Sequence, residues 1–102
     1  MSRPSNDADQ MIANAEEEIP PPTRSKLIAR LRMGAHIDDA SRELGVSPRR
    51  VFAAARLLTA FGDQLDATLT RERDPELAHG TMTAYNKRCR CPECRAAVNR
   101  RL

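Results

Sequence analysis

The 102-residue chain contains no tryptophan, one tyrosine and two phenylalanines, so aromatics make up 3% of it. A core must therefore be assembled from Leu, Ile, Val and Ala, and at this length it is small. No apolar run approaches membrane-spanning length, which excludes a transmembrane helix and implies a soluble protein with no membrane partner. The opening stretch, Met1 to Gln10, is polar and lacks the apolar stretch of a secretory signal, so the expected setting is a cytoplasm that keeps thiols reduced. Lysine stands only at positions 26 and 87, and cysteine is missing from everywhere except residues 89–94.

Within that window three cysteines are packed together, as Cys89-Arg90-Cys91-Pro92-Glu93-Cys94, and nine residues separate His79 from the first of them. Disulfide pairing would use two cysteines and leave one over. A Cys-x-x-Cys redox motif normally opens a helix after a strand, and no strand pattern precedes this one. An iron–sulfur cluster usually takes four cysteines. Together, His79, Cys89, Cys91 and Cys94 form a complete Cys3His set, which suits the four tetrahedral N/S ligands of zinc. Such a closed set is structural, because no position is left for water or substrate. The turn through Pro92 brings two thiolates to one metal, and Arg90 and Arg95 favour the thiolate state. His36 lies inside another predicted unit, so His79 is preferred as the fourth ligand. The expected cofactor is a structural Zn2+, whose binding energy supplements a small core.

Charge is unevenly placed. Residues 1–23 set one arginine against five carboxylates, a net −4, while 24–102 set sixteen cationic side chains against nine acidic ones, a net +7. Arginine forms bidentate contacts with phosphate and guanine, which suits nucleic acid. A high-GC genome also enriches Arg and Ala, so this bias is weak support by itself. Residues 1–23 read as a disordered acidic arm that ends in a stiff Pro20-Pro21-Pro22 linker.

Residues 24–73 read as three to four short helices. Thr23 can cap a helix with Leu27, Ile28 and Leu31 on one face, and Gly34 stops it. A second helix runs from about Ile37 to Leu44, with Asp38 and Asp39 in its first turn. Gly45-Val46-Ser47 breaks the chain, and Ser47-Pro48 opens a third helix that reaches about Ala60. Phe61-Gly62-Asp63 ends that helix, and Asp63 can cap a fourth over 63–72. Leu65 and Leu69 on this last helix either cap the core or pair two copies as a homodimer. Ser41 is small enough to let the second and third helices approach. Stretch 37–56 resembles the helix-turn-helix of bacterial regulators along its whole length, and that likeness implies binding to double-stranded DNA.

In that reading, Arg49, Ala53 and Arg56 fall at i, i+4 and i+7, opposite Val51 and Leu58. Arg49 or Arg50 can take a guanine edge, and Ala53 allows close approach to a base. Arg42, Ser47 and Arg56 face phosphates. The tail, 74–102, carries six cationic residues after Ala78 against Glu93 alone.

The tail pattern His79-Gly80-Thr81, Tyr85, Cys89-Arg90-Cys91-x-x-Cys94-Arg95 resembles that of small proteins from actinobacteria and their phages. In those proteins the tail follows a helical region, often a helix-turn-helix, and the likeness covers about 30–102. It departs at Arg88, where the family pattern often has glycine. The resemblance implies a DNA-binding protein with a metal-binding tail, and it carries no defined activity. The overall expectation is a mainly α chain, a helix-turn-helix with a small zinc-knuckle-like tail. It would act as a sequence-specific transcriptional regulator of phage or mobile-element type in a bacterial cytoplasm. The alternative is a zinc-stabilised interaction adaptor whose tail docks on a protein partner such as host transcription machinery. No enzymatic role is expected, since His36, Asp38 and Asp39 form the only spare His–carboxylate group and read more simply as a helix start.

Overall fold

A computed structural model of the chain describes residues 4–101, with side chains from Ala8 to Arg100. Among the described residues there are seven helices and no strand: α1 Pro4–Glu18, α2 Pro21–Arg32, α3 Ile37–Glu43, α4 Pro48–Leu57, α5 Thr59–Glu72, α6 Met82–Asn86 and α7 Pro92–Arg101. The mainly α class follows directly. None of these helices is long and apolar enough to cross a membrane. The chain forms two units that divide after Leu65, inside α5.

In the first unit the largest departure from expectation is at the start. Within the stretch read as a disordered arm, Pro4–Glu18 is helical, residues 1–3 lying outside the described residues; Ala15 in the helix is 5% exposed and Ile19, just after it, 0%. Composition argued for disorder, but Ala15 and Ile19 stand four residues apart and share one helical face, so tertiary burial holds the helix. The prolines also act differently from a rigid spacer. Pro21 starts α2 and Pro22 follows it, where the missing N–H groups cost no intrahelical bond. Pro20 occupies the N-cap position, and Thr23 lies inside the helix instead of capping it.

Leu27, Ile28 and Leu31 of α2 are buried, and α2 packs on α3, which packs in turn on α4. His36 caps α3, its Nδ1 accepting from the Asp38 amide at 3.1 Å. Leu44 closes that helix, and Gly45 takes φ +78, a left-handed conformation that costs an L side chain about 1–2 kcal/mol. Two reversed bonds complete the turn, from the Val46 amide to the Ser41 carbonyl and from the Gly45 amide to the Arg42 carbonyl, each 3.0 Å. Ser47 then caps α4 by accepting from the Arg50 amide at 3.2 Å, with Pro48 at the first helical position. Val51 and Ala54 are buried; Ser41 is buried too, and its hydroxyl has no hydrogen-bond partner among the described residues.

The Phe61-Gly62-Asp63 break is not a break. Helix α4 ends at Leu57, Leu58 bends the chain with ψ 83, and α5 begins at Thr59 and runs through Gly62. Glycine is required there for a different reason, close approach. A β-carbon on Gly62 would stand 2.3 Å from the Ala55 carbonyl oxygen. Leu65 is fully buried and Leu69 half-buried.

The second unit, from Asp66, has a core of Ala84, Cys91 and Cys94, with Leu77, Tyr85 and Cys89 packed against it. Helices α6 and α7 pair across this cluster. So few apolar residues give little independent stability, and two of the three central ones are cysteines.

Candidate metal centre

Four ligand atoms converge in the second unit. The sulfurs of Cys89, Cys91 and Cys94 lie 3.3, 3.6 and 3.5 Å from Nδ1 of His79, and all four atoms fall within 4.8 Å of one another. A tetrahedral zinc, with Zn–S of about 2.3 Å and Zn–N of about 2.0–2.1 Å, requires N···S edges of about 3.6 Å. The donor set therefore fits a tetrahedral metal in its chemistry and in its N···S distances. Cys91 and Cys94 are buried, while Cys89 and His79 are partly exposed, and all three cysteines are free thiols.

Local structure delivers each ligand. After α5, Asp74 forms a turn in which its side chain accepts from the Glu76 amide at 2.9 Å. The carbonyl of the same residue lies 2.6 Å from Nε2 of His79. A carbonyl can only accept, so Nε2 donates to it, and Nδ1 is the ring nitrogen that faces the sulfurs. Thr81 caps α6, accepting from the Ala84 amide at 3.2 Å and donating to the Ala78 carbonyl at 2.6 Å. Helix α6 ends in the same reversed-bond turn as α3: Cys89 donates to the Ala84 carbonyl at 3.1 Å, and Arg88 to Tyr85 at 2.9 Å. That turn swings Cys89 into the site. Its left-handed position is held by Arg88, at φ +73. Cys91 precedes α7 and Cys94 lies in its first turn, so Pro92 begins the helix between two ligands.

Burial pushes the Cys89 thiol up to about 12. At Cys91 burial acts in the same direction, but the Cys94 amide, the Arg73 guanidinium and the neighbouring thiols outweigh it and lower the group to about 7. Arg73 donates to the Cys91 sulfur at 3.5 Å and to Glu93 at 2.6 Å, and this pairing depresses the Glu93 carboxyl. Arg73 is the functional residue that sequence reasoning missed; it stands 18 residues before Cys91, and no spacing rule links them. Arg90 and Arg95 do other work than polarising thiols. Arg90 stacks over the Tyr85 ring at 3.8 Å and donates to the Tyr85 carbonyl, while Arg95 donates to Asp66 at 3.0 Å. Tyr85 is half-buried against the cluster, which fits a packing role that excludes water from the thiolates. His36 has no place in the cluster.

The residues expected to contact DNA lie in the first unit. Arg42, Ser47, Arg49, Arg50, Ala53 and Arg56 are all exposed. Arg49, Ala53 and Arg56 share one face of α4, and Arg49 and Arg56 enter no ion pair with any described residue. Arg50 differs, because it is bonded to Glu18.

The chain is thus a helical protein whose second unit carries a metal-compatible Cys3His cluster. No protein family, curated protein or solved structure matches it.

Proposed function

We propose that the chain is a sequence-specific DNA-binding protein, a transcriptional regulator of phage or mobile-element type. In this reading α3 and α4 form a helix-turn-helix, and the Cys3His cluster holds a structural Zn2+. The observation that carries the reading is the exposed Arg49–Ala53–Arg56 stripe of α4, which follows a short helix and a left-handed turn at Gly45. Helix α4 enters the major groove N-terminus first. Arg49, in its first turn, takes a guanine edge through two parallel hydrogen bonds, and Ala53 permits the approach or meets a thymine methyl. Arg56 and Arg42 reach phosphates, and the Ser47 hydroxyl, which accepts from Arg50, still has its proton to donate to another. In the second unit His79, Cys89, Cys91 and Cys94 hold the metal, which links α6 to α7 and couples their folding to its binding. All four positions are taken by protein, so the metal supplies cohesion and not catalysis.

A second reading, a zinc-stabilised interaction adaptor, draws on one feature. Met33 is 87% exposed beside a shallow, mainly apolar groove between α2 and α3 that includes Ala29 and Ala35. Capture of sheared genomic DNA at physiological salt, followed by sequencing, separates the two. The DNA-binding reading predicts discrete peaks that vanish with Arg49→Ala/Arg56→Ala. No enrichment, or a diffuse background unchanged by that variant, would leave the adaptor.

A further inference from the structure

Helix α1 packs on α4, and the chain just beyond α1 is buried through Ile19. The contact therefore has an apolar foundation. At its edge Glu18, the last residue of α1, accepts a hydrogen bond from Arg50 Nη1 at 2.5 Å. Glu16 and Glu17 stand beside it, exposed, and α1 has no basic residue in its last turn. A helix bearing three consecutive carboxylates is thus moored against the helix proposed to read DNA. One of those carboxylates occupies an arginine next to the reading stripe, while Arg49, Ala53 and Arg56 stay open.

We propose that Glu18 is a built-in competitor for DNA phosphate at Arg50, an inference that rests on the DNA-binding reading of α4. A carboxylate oxygen and a phosphate oxygen ask the same thing of a guanidinium, two charge-assisted N–H donors. While Glu18 holds Arg50, the protein neutralises one phosphate fewer, and Glu16 and Glu17 repel the duplex close by. Both members of the pair are well exposed, at 63% and 43% of their side chains. Exposed ion pairs are weak, so the competition amounts to a factor of about two to five in affinity. It tempers binding to any duplex and does not abolish it. Apolar burial of Ala15 and Ile19 keeps α1 in place when the ion pair opens, so the competitor stays at hand.

The test is duplex binding by the full-length protein across a salt series. Glu18→Gln should tighten binding about two- to fivefold at low salt, and the slope of log affinity against log salt should steepen by about 0.9, the counterion release of one added phosphate contact. Glu17→Gln makes the same charge change without touching Arg50 and should do less. In an Arg50→Ala background the Glu18→Gln gain should disappear. Equal effects from Glu17→Gln and Glu18→Gln, or a Glu18→Gln gain that survives Arg50→Ala, would overturn the competitor and leave only diffuse repulsion. If Arg49→Ala/Arg56→Ala weakens binding but Glu18→Gln changes nothing, the competitor falls and the DNA-binding reading stands. If no variant binds duplex at all, both fall together.

Discussion

Replacing Arg88 by glycine should strengthen the second unit, although it removes a charged side chain from a basic tail. Arg88 sits at φ +73 in the turn that ends α6 and delivers Cys89. A β-carbon in that conformation costs about 1–2 kcal/mol. Glycine removes the cost, but its freer unfolded chain returns about 0.4–1 kcal/mol. The net gain is then about 0.5–1 kcal/mol. Arg88 also has side-chain interactions of its own, so the informative comparison is Arg88→Gly against Arg88→Ala. Both variants lose the guanidinium, and only one keeps the β-carbon. Metal binding and folding of so small a unit are one equilibrium, so the gain should appear as about two- to fivefold tighter metal binding for glycine over alanine. Competition with a chelator of known affinity reads it directly. Equal affinities for the two variants, or a tighter alanine variant, would refute the argument from backbone strain. Gly45 occupies the equivalent position after α3, and Gly45→Ala should lose a similar amount in a thermal melt of the whole chain.

Three further outcomes follow from the packing and the thiols. Gly62→Ala sets a methyl group 2.3 Å from the Ala55 carbonyl, and α5 must shift to admit it, so denaturant unfolding should show a loss of about 1–3 kcal/mol. Ser41→Ala removes a buried hydroxyl that has no partner among the described residues and should raise stability by about 1 kcal/mol in the same assay; a loss of that size would mean the hydroxyl is satisfied. Metal affinity should fall as pH falls, because the metal takes thiolates and protons compete for them. With Cys89 raised to about 12 it must shed a proton throughout the neutral range, so affinity drops at least tenfold per pH unit. Below about 7 the protonation of Cys91 adds a second factor of the same size. Isothermal titration at three pH values checks this, and a flat profile would contradict it.

The cluster was legible because metal ligation is local in sequence: four donors fall between residues 79 and 94, and only their chemistry had to be recognised. The helix start at Ser47-Pro48 was legible for the same reason, since an N-cap hydroxyl and a proline at the first helical position act on their immediate neighbours. Misreadings arose where the partner is distant. Helix α1 looked disordered by composition, and only its burial in the first unit gives Ala15 and Ile19 their value. Gly62 looked like a helix breaker, because nothing in its own neighbourhood announces that the Ala55 carbonyl will lie against it. Pro21 and Pro22 fit a stiff spacer and a helix start equally well until the helix is seen. Arg73 reaches Cys91 across 18 residues, and no periodicity predicts such a contact.

The central claim is that His79, Cys89, Cys91 and Cys94 bind one metal ion that holds the second unit together. Native mass spectrometry of the full-length protein, with elemental analysis of the same sample, tests it most directly when wild type is set beside Cys94→Ser. The account predicts one zinc per wild-type chain, none retained at stoichiometry in the variant, and amide protection lost over 74–101 while the first unit stays folded. A metal-free wild-type chain with that region protected, or a Cys94→Ser chain that keeps its metal, would contradict it.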